Sequence, residues 1–308
     1  MHHLVRRLGS ALLVLLAVSF VIFIALATVP GDAATALAGE SASQAQLDTL
    51  RRQLGLDAPL LVRYGRFLAG LLHGDLGSSL ISGRPVGELL AERFPYTLTL
   101  AVASVGLATA LGMAFGVAAA TRAGTALDTL IMAGVTLGMA LPSFWVGLLL
   151  IMVFALELHW LPVVGAGTPQ HLILPAITLA LPTAAVVARL MRSSLLDVWH
   201  AEFVRTAHAK GLPRRQVLQS HMLRNSLIPL TAVIGLHLGH LLGGAFVVET
   251  IFGWPGLGRL TVQAIFDRDL PVVLGAALTL AGMFVLTNLA VDLLHAWLDP
   301  RIRTMELA

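Results

Sequence analysis

Six long runs without Asp, Glu, Lys or Arg dominate the chain, and short polar segments separate them. Each run has at least 22 residues, and a helix needs about 20 apolar residues to cross a bilayer. The start of the fourth run, LHWLPVVGAGTPQ, is rich in Gly and Pro, so its helix is predicted to begin near His171. The runs are Leu8–Gly31, Phe94–Thr121, Thr129–Leu156, Leu158–Ala188, Asn225–Val248 and Leu270–Val291.

The composition agrees with this pattern. Hydrophobic residues make up 57% of the 308 residues, charged residues make up 12%, and the mean hydropathy is +0.84. Soluble domains are about 45–50% apolar and about 25% charged, so the chain has too little polar surface to be a soluble protein. The net charge is +3, but the arginines are scattered among apolar runs, which argues against nucleic acid as a partner. Cysteine is absent, which excludes disulfides and thiolate metal sites.

The basic residues predict the orientation in the membrane. Cytoplasmic loops carry an excess of Lys and Arg, and with six spans both termini lie on the same side. The basic flanks that fall on this side are Arg6, Arg7, Arg122, the segment 189–224, Arg301 and Arg303. Both termini are therefore predicted to be cytoplasmic, in the cell (inner) membrane.

The spans and the orientation divide the chain into three parts. Residues 1–31 are predicted to form an N-terminal transmembrane helix and residues 32–93 a small extracytoplasmic helical insert. Residues 94–300 form a five-helix transmembrane core with a cytoplasmic polar segment at 193–225. The predicted fold is an all-α polytopic membrane protein with six transmembrane helices.

Two shorter patterns refine the first two parts. The insert contains two amphipathic helical patterns; Gly55 and Pro59 separate them, and Gly74 ends the second. The first span follows MHHLVRR and precedes ATALAGE, which resembles a signal peptide. Its apolar run of about 24 residues exceeds the usual 7–15, so it is predicted to be an uncleaved anchor.

Prolines lie within several predicted spans. A proline removes a backbone donor and opens a helix, so interruptions are expected at Pro142, Pro175, Pro182 and Pro229. Such breaks serve either to bend and pack the helices or to line a gated transport path.

One polar segment, RTAHAKGLPRRQVLQSHMLRN, holds four arginines, two histidines and the only lysine of the chain. The pattern predicts one helix over Asp197–Lys210 and a second from Pro213 to about Arg224. Gly211 suits the left-handed position after a helix end, and Pro213 suits the first turn of the next helix. Basic residues near the inner leaflet also bind anionic lipids, but lipid binding does not explain a Gly-Pro corner between two helices.

At this segment the chain resembles a known family. RTAHAKGL…HMLRNSLIPL is similar to the coupling segment of ABC importer permeases of the dipeptide/oligopeptide/nickel branch. The resemblance covers almost the whole chain and extends, in order, over VPGD, LGLDAPL, HGDLGSSL, RPV, LPSFWVG, HWLPVVG, LILPAITL, VVETIFGWPGLGRL, RDLPVV and NLAVDLLHAWLDPRIR. Three stretches of the sequence depart from common family patterns. Arg205-Thr206-Ala207 replaces the Glu-Ala-Ala of the broader signature, His208 replaces an arginine, and PGDA replaces PGDP.

The resemblance implies a subunit that passes a solute inward across the membrane. Cytoplasmic ATP-binding subunits would bind ATP and Mg²⁺, so this chain would hold no cofactor. An extracytoplasmic substrate-binding protein would dock on the outer face, and a second, related permease subunit would complete a heterodimer. The residues implied in coupling to the ATPase subunit are Arg205, Thr206, Ala207, His208, Lys210, Gly211 and Leu212.

Other functional classes fit the residues less well. Lys210 is followed by Gly-Leu, whereas a phosphate-binding loop needs Gly-Lys-Ser/Thr, so the chain is predicted to have no ATPase site and not to be an enzyme. Asp128 and Asp292 lie near span ends, whereas a secondary carrier usually places ionisable groups in mid-membrane. The chain contains neither His-Glu-x-x-His nor Gly-x-Ser-x-Gly, the motifs that an intramembrane hydrolase would be expected to show.

Two histidines within the fifth span are the candidates for contact with the solute. His237 and His240 are three residues apart, so they share one helix face. They either form hydrogen bonds between helices as neutral groups or contact the solute or its metal. Together with Pro142 and Pro182 they are the candidate lining of the translocation path. The expected solutes are short peptides or similar small molecules, with nickel or a metal chelate as the alternative.

Overall fold

The computed structural model describes residues 2–28, 33–38 and 42–298, and these residues are mostly helical and form no β-strand. A single isolated bridge joins Ser78 to Pro85. The helices are α1 (His2–Thr28), α2 (Ala33–Ala38), α3 (Gln44–Gln53), α4 (Leu60–Leu72), α5 (Val86–Thr121), α6 (Ala126–Ala140), α7 (Ser143–Leu150), α8 (Gln170–Trp199), α9 (Glu202–Ala209), α10 (Arg214–Gln216), α11 (Leu223–Gly244), α12 (Phe246–Ile251), α13 (Leu257–Phe266) and α14 (Leu270–Leu298). Two π-helical stretches, Ile151–Glu157 and Val217–Met222, extend α7 and join α10 to α11.

Several of these helices are long and apolar enough to cross a membrane. Within the described residues three qualify alone: α5, α8 and the Leu270–Val291 part of α14. Two bent pairs qualify together, which gives five spans if each pair crosses once. In α1 the apolar stretch Leu12–Ala25 is shorter. The chain is therefore an all-α polytopic membrane protein, whereas the count of six spans and the three-part division at 31 and 93 stay predictions.

The prolines have different effects on the helices. Pro142 ends one helix and begins the next, and the axis turns by 103° between α6 and the Ser143–Glu157 helix. At Pro229 the helix continues but bends by 50°. The expected interruptions at Pro175 and Pro182 are wrong, because α8 runs unbroken through both. Many residues of α8 between Leu174 and Leu195 are buried, and this packing supports the helix despite the lost backbone hydrogen bonds.

The helix boundaries in the polar segment also differ from the prediction. A single helix over Asp197–Lys210 is wrong: α8 ends at Trp199, and α9 begins at Glu202 after Ala201 adopts an extended conformation (φ −68°, ψ 145°). The second predicted helix does not end near Arg224, since the chain continues in helical conformation into α11. The break before α9 lets Val204 and Ala207 turn toward a hydrophobic cluster.

The helices fall into two compact units. The first unit contains the chain up to Thr97 together with Pro255–Val285. Its core joins the start of α5 to α13 and α14 through Val86, Leu90, Leu257, Ala264, Val272, Val273 and Ala276. A buried carboxylate fixes the loop before α5, because Asp269 accepts hydrogen bonds from the Ser79 hydroxyl (2.5 Å) and the Leu80 amide (3.1 Å).

The two amphipathic patterns of the insert form helices within this first unit. They are α3, which a Ser43 capping box begins, and α4, which follows Pro59. Gly55 (φ 64°) lies between them and Gly74 (φ 75°) follows the second, as the sequence predicts. On α4 the Tyr64 hydroxyl lies 2.8 Å from the Ser19 hydroxyl of α1. These contacts place α4 against the first apolar helix.

The second unit is packed around α8 and contains Leu98–Trp254 and the chain from Leu286 onward. Gly112 and Gly116 of α5 face this helix, and the backbones of the two helices approach each other closely there. A Cβ atom at Gly116 would lie 2.7 Å from the Ala188 carbonyl oxygen, and one at Gly112 would lie 2.7 Å from the Ala184 carbonyl oxygen. This pairing of small residues four apart on both helices is a known mode of close helix packing in membranes.

An ion pair joins α6 to α8 in the same unit. The Arg192 guanidinium donates two hydrogen bonds of 2.7 Å to the Asp128 carboxylate, and the Gly124 amide donates a third of 3.0 Å. Asp128 is 6% exposed and Arg192 is 29% exposed. This bidentate geometry is the strong form of a charged contact, and it ties the beginning of α6 to the last turns of α8.

We expect Gly116→Ala to destabilise the protein although alanine favours helices. The methyl group would meet backbone atoms that cannot move aside, and overpacking of this kind costs about 1–3 kcal/mol. The matched control is Gly106→Ala on the same helix, where nothing lies within 4 Å of the added carbon and a gain of about 0.5–1 kcal/mol is expected. Thermal unfolding in detergent measures both variants. A Gly116→Ala protein as stable as the control would contradict the close approach.

We also expect Asp128→Asn to destabilise the protein. Removing one partner of a buried pair costs about 3–5 kcal/mol, and the partial exposure of Arg192 reduces the expected loss to about 2–3 kcal/mol. Asp197→Asn, an exposed position near the end of α8, is the control for the loss of one charge. The melting temperature should fall only for the Asp128 variant. Equal melting temperatures for the two variants would show that the ion pair contributes nothing.

Candidate functional site

The first candidate site is the polar segment around α9. The helix has eight residues and ends at Ala209, with Lys210 as its C-cap residue, and Gly211 follows with φ 78°. The Gly211 amide donates to the His208 carbonyl oxygen (2.9 Å), and the Leu212 amide donates to the Ala207 carbonyl oxygen (3.3 Å). These bonds form a left-handed turn at a helix end, which glycine adopts at no steric cost. The predicted left-handed position of Gly211 is therefore confirmed.

The helix α9 has one buried face and one exposed face. Val204 and Ala207 are 2% and 6% exposed, and they pack in a cluster with Met191 of α8 and with Val217 and Met222 at the start of the next helix. Burial of these two side chains fixes which face of α9 is turned outward. The exposed residues are Glu202, Phe203, Arg205, Thr206, His208, Ala209 and Lys210.

The structure separates the seven residues that the sequence assigns to this segment. Ala207 belongs to the buried face and Leu212 is half-buried, so neither offers much surface to another protein. The remaining five, Arg205, Thr206, His208, Lys210 and Gly211, are exposed together. This arrangement gives a mainly basic and polar surface carried by a short helix on a hydrophobic base.

The sequence analysis did not identify two aromatic residues of this segment. Phe203 is 43% exposed on the outward face of α9. Trp199, the last residue of α8, carries the guanidinium carbon of Arg214 at 4.9 Å from its ring centroid. Phe203 lies four residues before the buried Ala207, a spacing that places both on the same side of a helix, so the pattern could not have indicated that Phe203 is exposed. The contact between Trp199 and Arg214 depends on the path of the chain through two turns, which the pattern does not give.

The second candidate site is the pair of histidines on α11. The Nδ1 atom of His237 lies 3.3 Å from the Thr183 hydroxyl on α8, and either atom can be the donor. His240 donates from Nδ1 to the Leu236 carbonyl oxygen (3.1 Å), and its ring centroid lies 6.4 Å from that of His237. Thr183 is buried, whereas His240 is exposed. His237 therefore forms a polar contact between two apolar helices, with His240 exposed beside it.

The four predicted path residues do not all come together. Pro182 precedes Thr183, so it lies beside the hydrogen bond to His237. Pro142 is exposed at the bend between α6 and α7 and marks a different part of the unit. Sequence reasoning missed Thr183, whose only signal is a hydroxyl in an apolar run.

The described residues show no group of three or more His, Cys, Asp or Glu side chains arranged to hold a metal ion. His237 and His240 alone supply two imidazoles, and both Nδ1 atoms take part in hydrogen bonds. The arrangement can form hydrogen bonds to a polar solute.

Comparison with known protein families shows the class of the chain. Residues 112–304 match the family described as binding-protein-dependent transport system inner membrane component. Residues 1–101 match the N-terminal family of such membrane components. The chain belongs to this permease family. The permease is thus a multi-pass inner-membrane protein and the transmembrane subunit of an ABC importer, which confirms the resemblance of the chain to ABC importer permeases.

Related proteins match the permease over almost its full length. It is 43% identical to the glutathione transport system permease protein GsiC of Salmonella paratyphi A over 303 residues, which are 98% of this chain and 99% of the relative. It is 42% identical to the protein of the same name from Escherichia coli K12 over the same shares of the two chains. In this family the ATPase is a separate subunit, so the permease is a transport subunit and not an enzyme.

Solved structures of ABC transporters share the fold of the permease. An inward-facing form of the MetNI methionine ABC transporter matches 68% of this chain and 96% of its own chain, with a TM-score of 0.57 and 19% identity. An amino acid ABC transporter with histidines matches 70% of this chain and 94% of its own, with a TM-score of 0.51 and 15% identity. At these identities the likeness concerns the fold alone. The importer class implies ATP-binding subunits and a substrate-binding protein as partners.

Proposed function

We propose that this permease carries glutathione or similar short peptides into the cytoplasm. The observation that supports this proposal is the 43% identity, over 98% of the chain, to a glutathione transport permease. Nickel or a metal chelate is the competing solute, and the pair His237 and His240 is the feature that favours it. Uptake of labelled glutathione, a labelled dipeptide and labelled nickel, in cells that lack other importers, tests the choice. Nickel accumulation without peptide uptake would overturn the proposal.

The proposed orientation places both termini and the polar segment 193–225 in the cytoplasm and residues 32–93 outside. The basic residues near the span ends support it. Of these, Arg301 and Arg303 lie outside the described residues. In this orientation a substrate-binding protein docks on the outer face, and basic side chains near the inner leaflet contact anionic lipid.

Coupling to the ATP-binding subunits is proposed for the exposed residues of the segment. Arg205, Thr206, His208 and Lys210 offer charge and hydrogen-bond donors, while Ala207 and Leu212 hold α9 on its hydrophobic base. Gly211 sets the direction in which the chain leaves the helix. A second, related permease subunit is proposed to complete the pore as a heterodimer, because one subunit of this size is small for a pore.

The translocation path is proposed to follow the face of α8 and α11 that carries Pro182, His237 and His240, with Pro142 at the bend of the third span. The hydrogen bond between His237 and Thr183 supports a packing role for His237 on the wall of this path. His240 is exposed beside it and offers a polar contact to the solute.

We expect Gly211→Val to reduce uptake strongly without preventing insertion into the membrane. Open space surrounds the position, so the cost comes from the left-handed backbone, about 1–2 kcal/mol, which corresponds to a factor of about 5–30 in the population of the turn. Uptake of labelled glutathione and co-purification with the ATP-binding subunits are measured. Gly74→Val is the matched control, because Gly74 also follows a helix end with a positive φ (75°) and open space. Normal uptake by the Gly211 variant would show that this turn is not needed for coupling.

We expect replacement of both His237 and His240 by glutamine to leave peptide uptake nearly normal. Glutamine keeps the capacity to hydrogen-bond to Thr183 but is a weaker metal ligand and does not titrate. His237→Leu, which removes the hydrogen bond, should lower stability by about 0.5–1.5 kcal/mol. Labelled glutathione and labelled nickel uptake are compared for each variant. If the wild type accumulates nickel and the double glutamine variant does not, the histidines contact a metal cargo and the peptide assignment is wrong.

A further inference from the structure

The sequence of α9 alone gives this helix little stability. It has eight residues, and its N-cap residue Ala201 makes no side-chain cap hydrogen bond. Isolated helices shorter than about 12–15 residues are marginal in water. Only Val204 and Ala207 are buried among its side chains, so the orientation of α9 depends on how its two ends are attached.

Both ends of α9 are attached through short non-helical links. At the first end, His200 and the extended residue Ala201 separate the helix from α8. At the second end, Gly211 at φ 78° and Pro213 at ψ 144° separate it from α10. Each link allows α9 to change its angle with respect to the helix beside it.

One contact closes the segment between these links. The guanidinium carbon of Arg214 lies 4.9 Å from the ring centroid of Trp199, so the last residue of α8 meets the first residue of α10. Trp199 is half-buried and packs against the hydrophobic cluster that also holds Val204 and Ala207. An arginine over a tryptophan ring is an attractive cation–π arrangement. The contact therefore joins the two ends of the segment directly, beside the base on which α9 rests.

We propose that Trp199 and Arg214 form a clasp that fixes the orientation of α9 so that motion passes between the ATP-binding subunit and the membrane helices. This inference rests on the proposed coupling function of α9. In it, Trp199 and Arg214 are positioning residues and need not touch the partner. A helix free to tilt on two links would absorb the motion of its partner, whereas a clasped helix transmits it to α8 and α11.

The test uses the complete importer in proteoliposomes, with its ATP-binding subunits, second permease subunit and binding protein. The measured quantity is the amount of labelled glutathione moved per ATP hydrolysed. Opening the clasp with Arg214→Ala or Trp199→Ala should lower this ratio about two- to fivefold, the factor expected for an exposed cation–π pair, while ATP hydrolysis and subunit assembly persist. The double variant should be no worse than either single variant. Trp199→Phe and Arg214→Lys, which keep a ring and a cation, should restore most of the ratio.

The neighbouring arginine provides the matched control. Arg215 is exposed on the same short helix and lies outside the Arg205–Leu212 stretch, so Arg215→Ala removes the same charge without opening the clasp. It should leave the ratio unchanged. If Arg214→Ala and Arg215→Ala behave alike, or if the effects of Trp199→Ala and Arg214→Ala add fully, the clasp is wrong.

A second measurement does not depend on the identity of the solute. The chain has no cysteine, so Ala209→Cys gives one site for a spin label at the exposed end of α9, with partner subunits whose own cysteines have been replaced. The label should be more mobile in the Arg214→Ala protein than in the wild type or the Arg215→Ala protein. Equal mobility in all three would overturn the clasp.

Comparison with the Gly211 variant separates the two proposals. If Gly211→Val lowers uptake but the clasp variants transport normally, only the clasp proposal is wrong. If Gly211→Val transports normally too, the proposed coupling function of α9 is wrong.

Discussion

Close approach of α5 to α8 is the constraint on which the larger unit depends. Lipid tails are as apolar as leucine side chains, so helices in a membrane associate through packing and hydrogen bonds and not through escape from water. Gly112 and Gly116 expose the backbone of α5 to the backbone of α8 at Ala184 and Ala188. That contact leaves the other sides of α8 free to meet α6, α7 and α11, and α8 becomes the central helix of the unit.

The same helix links the membrane part of the unit to the polar segment. Near its end Arg192 is held by Asp128 of α6, and its last residue, Trp199, is stacked by Arg214. In the same turns of the helix, Met191 and Leu195 share a cluster with Val204 and Ala207 of α9. The end of α8 is therefore fixed by an ion pair, by apolar packing and by a cation–π contact within three turns. An element held in this way can move as a body with α9.

The sequence predicted those parts of the fold that depend on local chemistry. Charge-free runs predicted the apolar helices, Gly211 predicted the left-handed turn, and His171 predicted the start of α8 to within one residue. The sequence predicted wrongly those features that depend on packing against neighbouring helices. Pro175 and Pro182 do not break α8, because packing of the largely buried helix supports it, while the more exposed Pro142 turns the chain by 103°. The partner of His237 could not be predicted either, since Thr183 lies 54 positions away on another helix.

The fold of a permease and its recognition of a solute place different demands on the sequence. Transporters of methionine and of amino acids share its fold at 19% and 15% identity, so most of the side chains differ among proteins that use this backbone arrangement. A helix needs only apolar side chains of suitable size at its buried face, and many sequences meet that requirement. Recognition of a polar solute needs hydrogen-bonding groups at defined positions, because a buried polar group left without a partner is costly. We therefore expect the choice of solute to depend on a few polar positions along the proposed translocation path, within a scaffold that places few other demands on them.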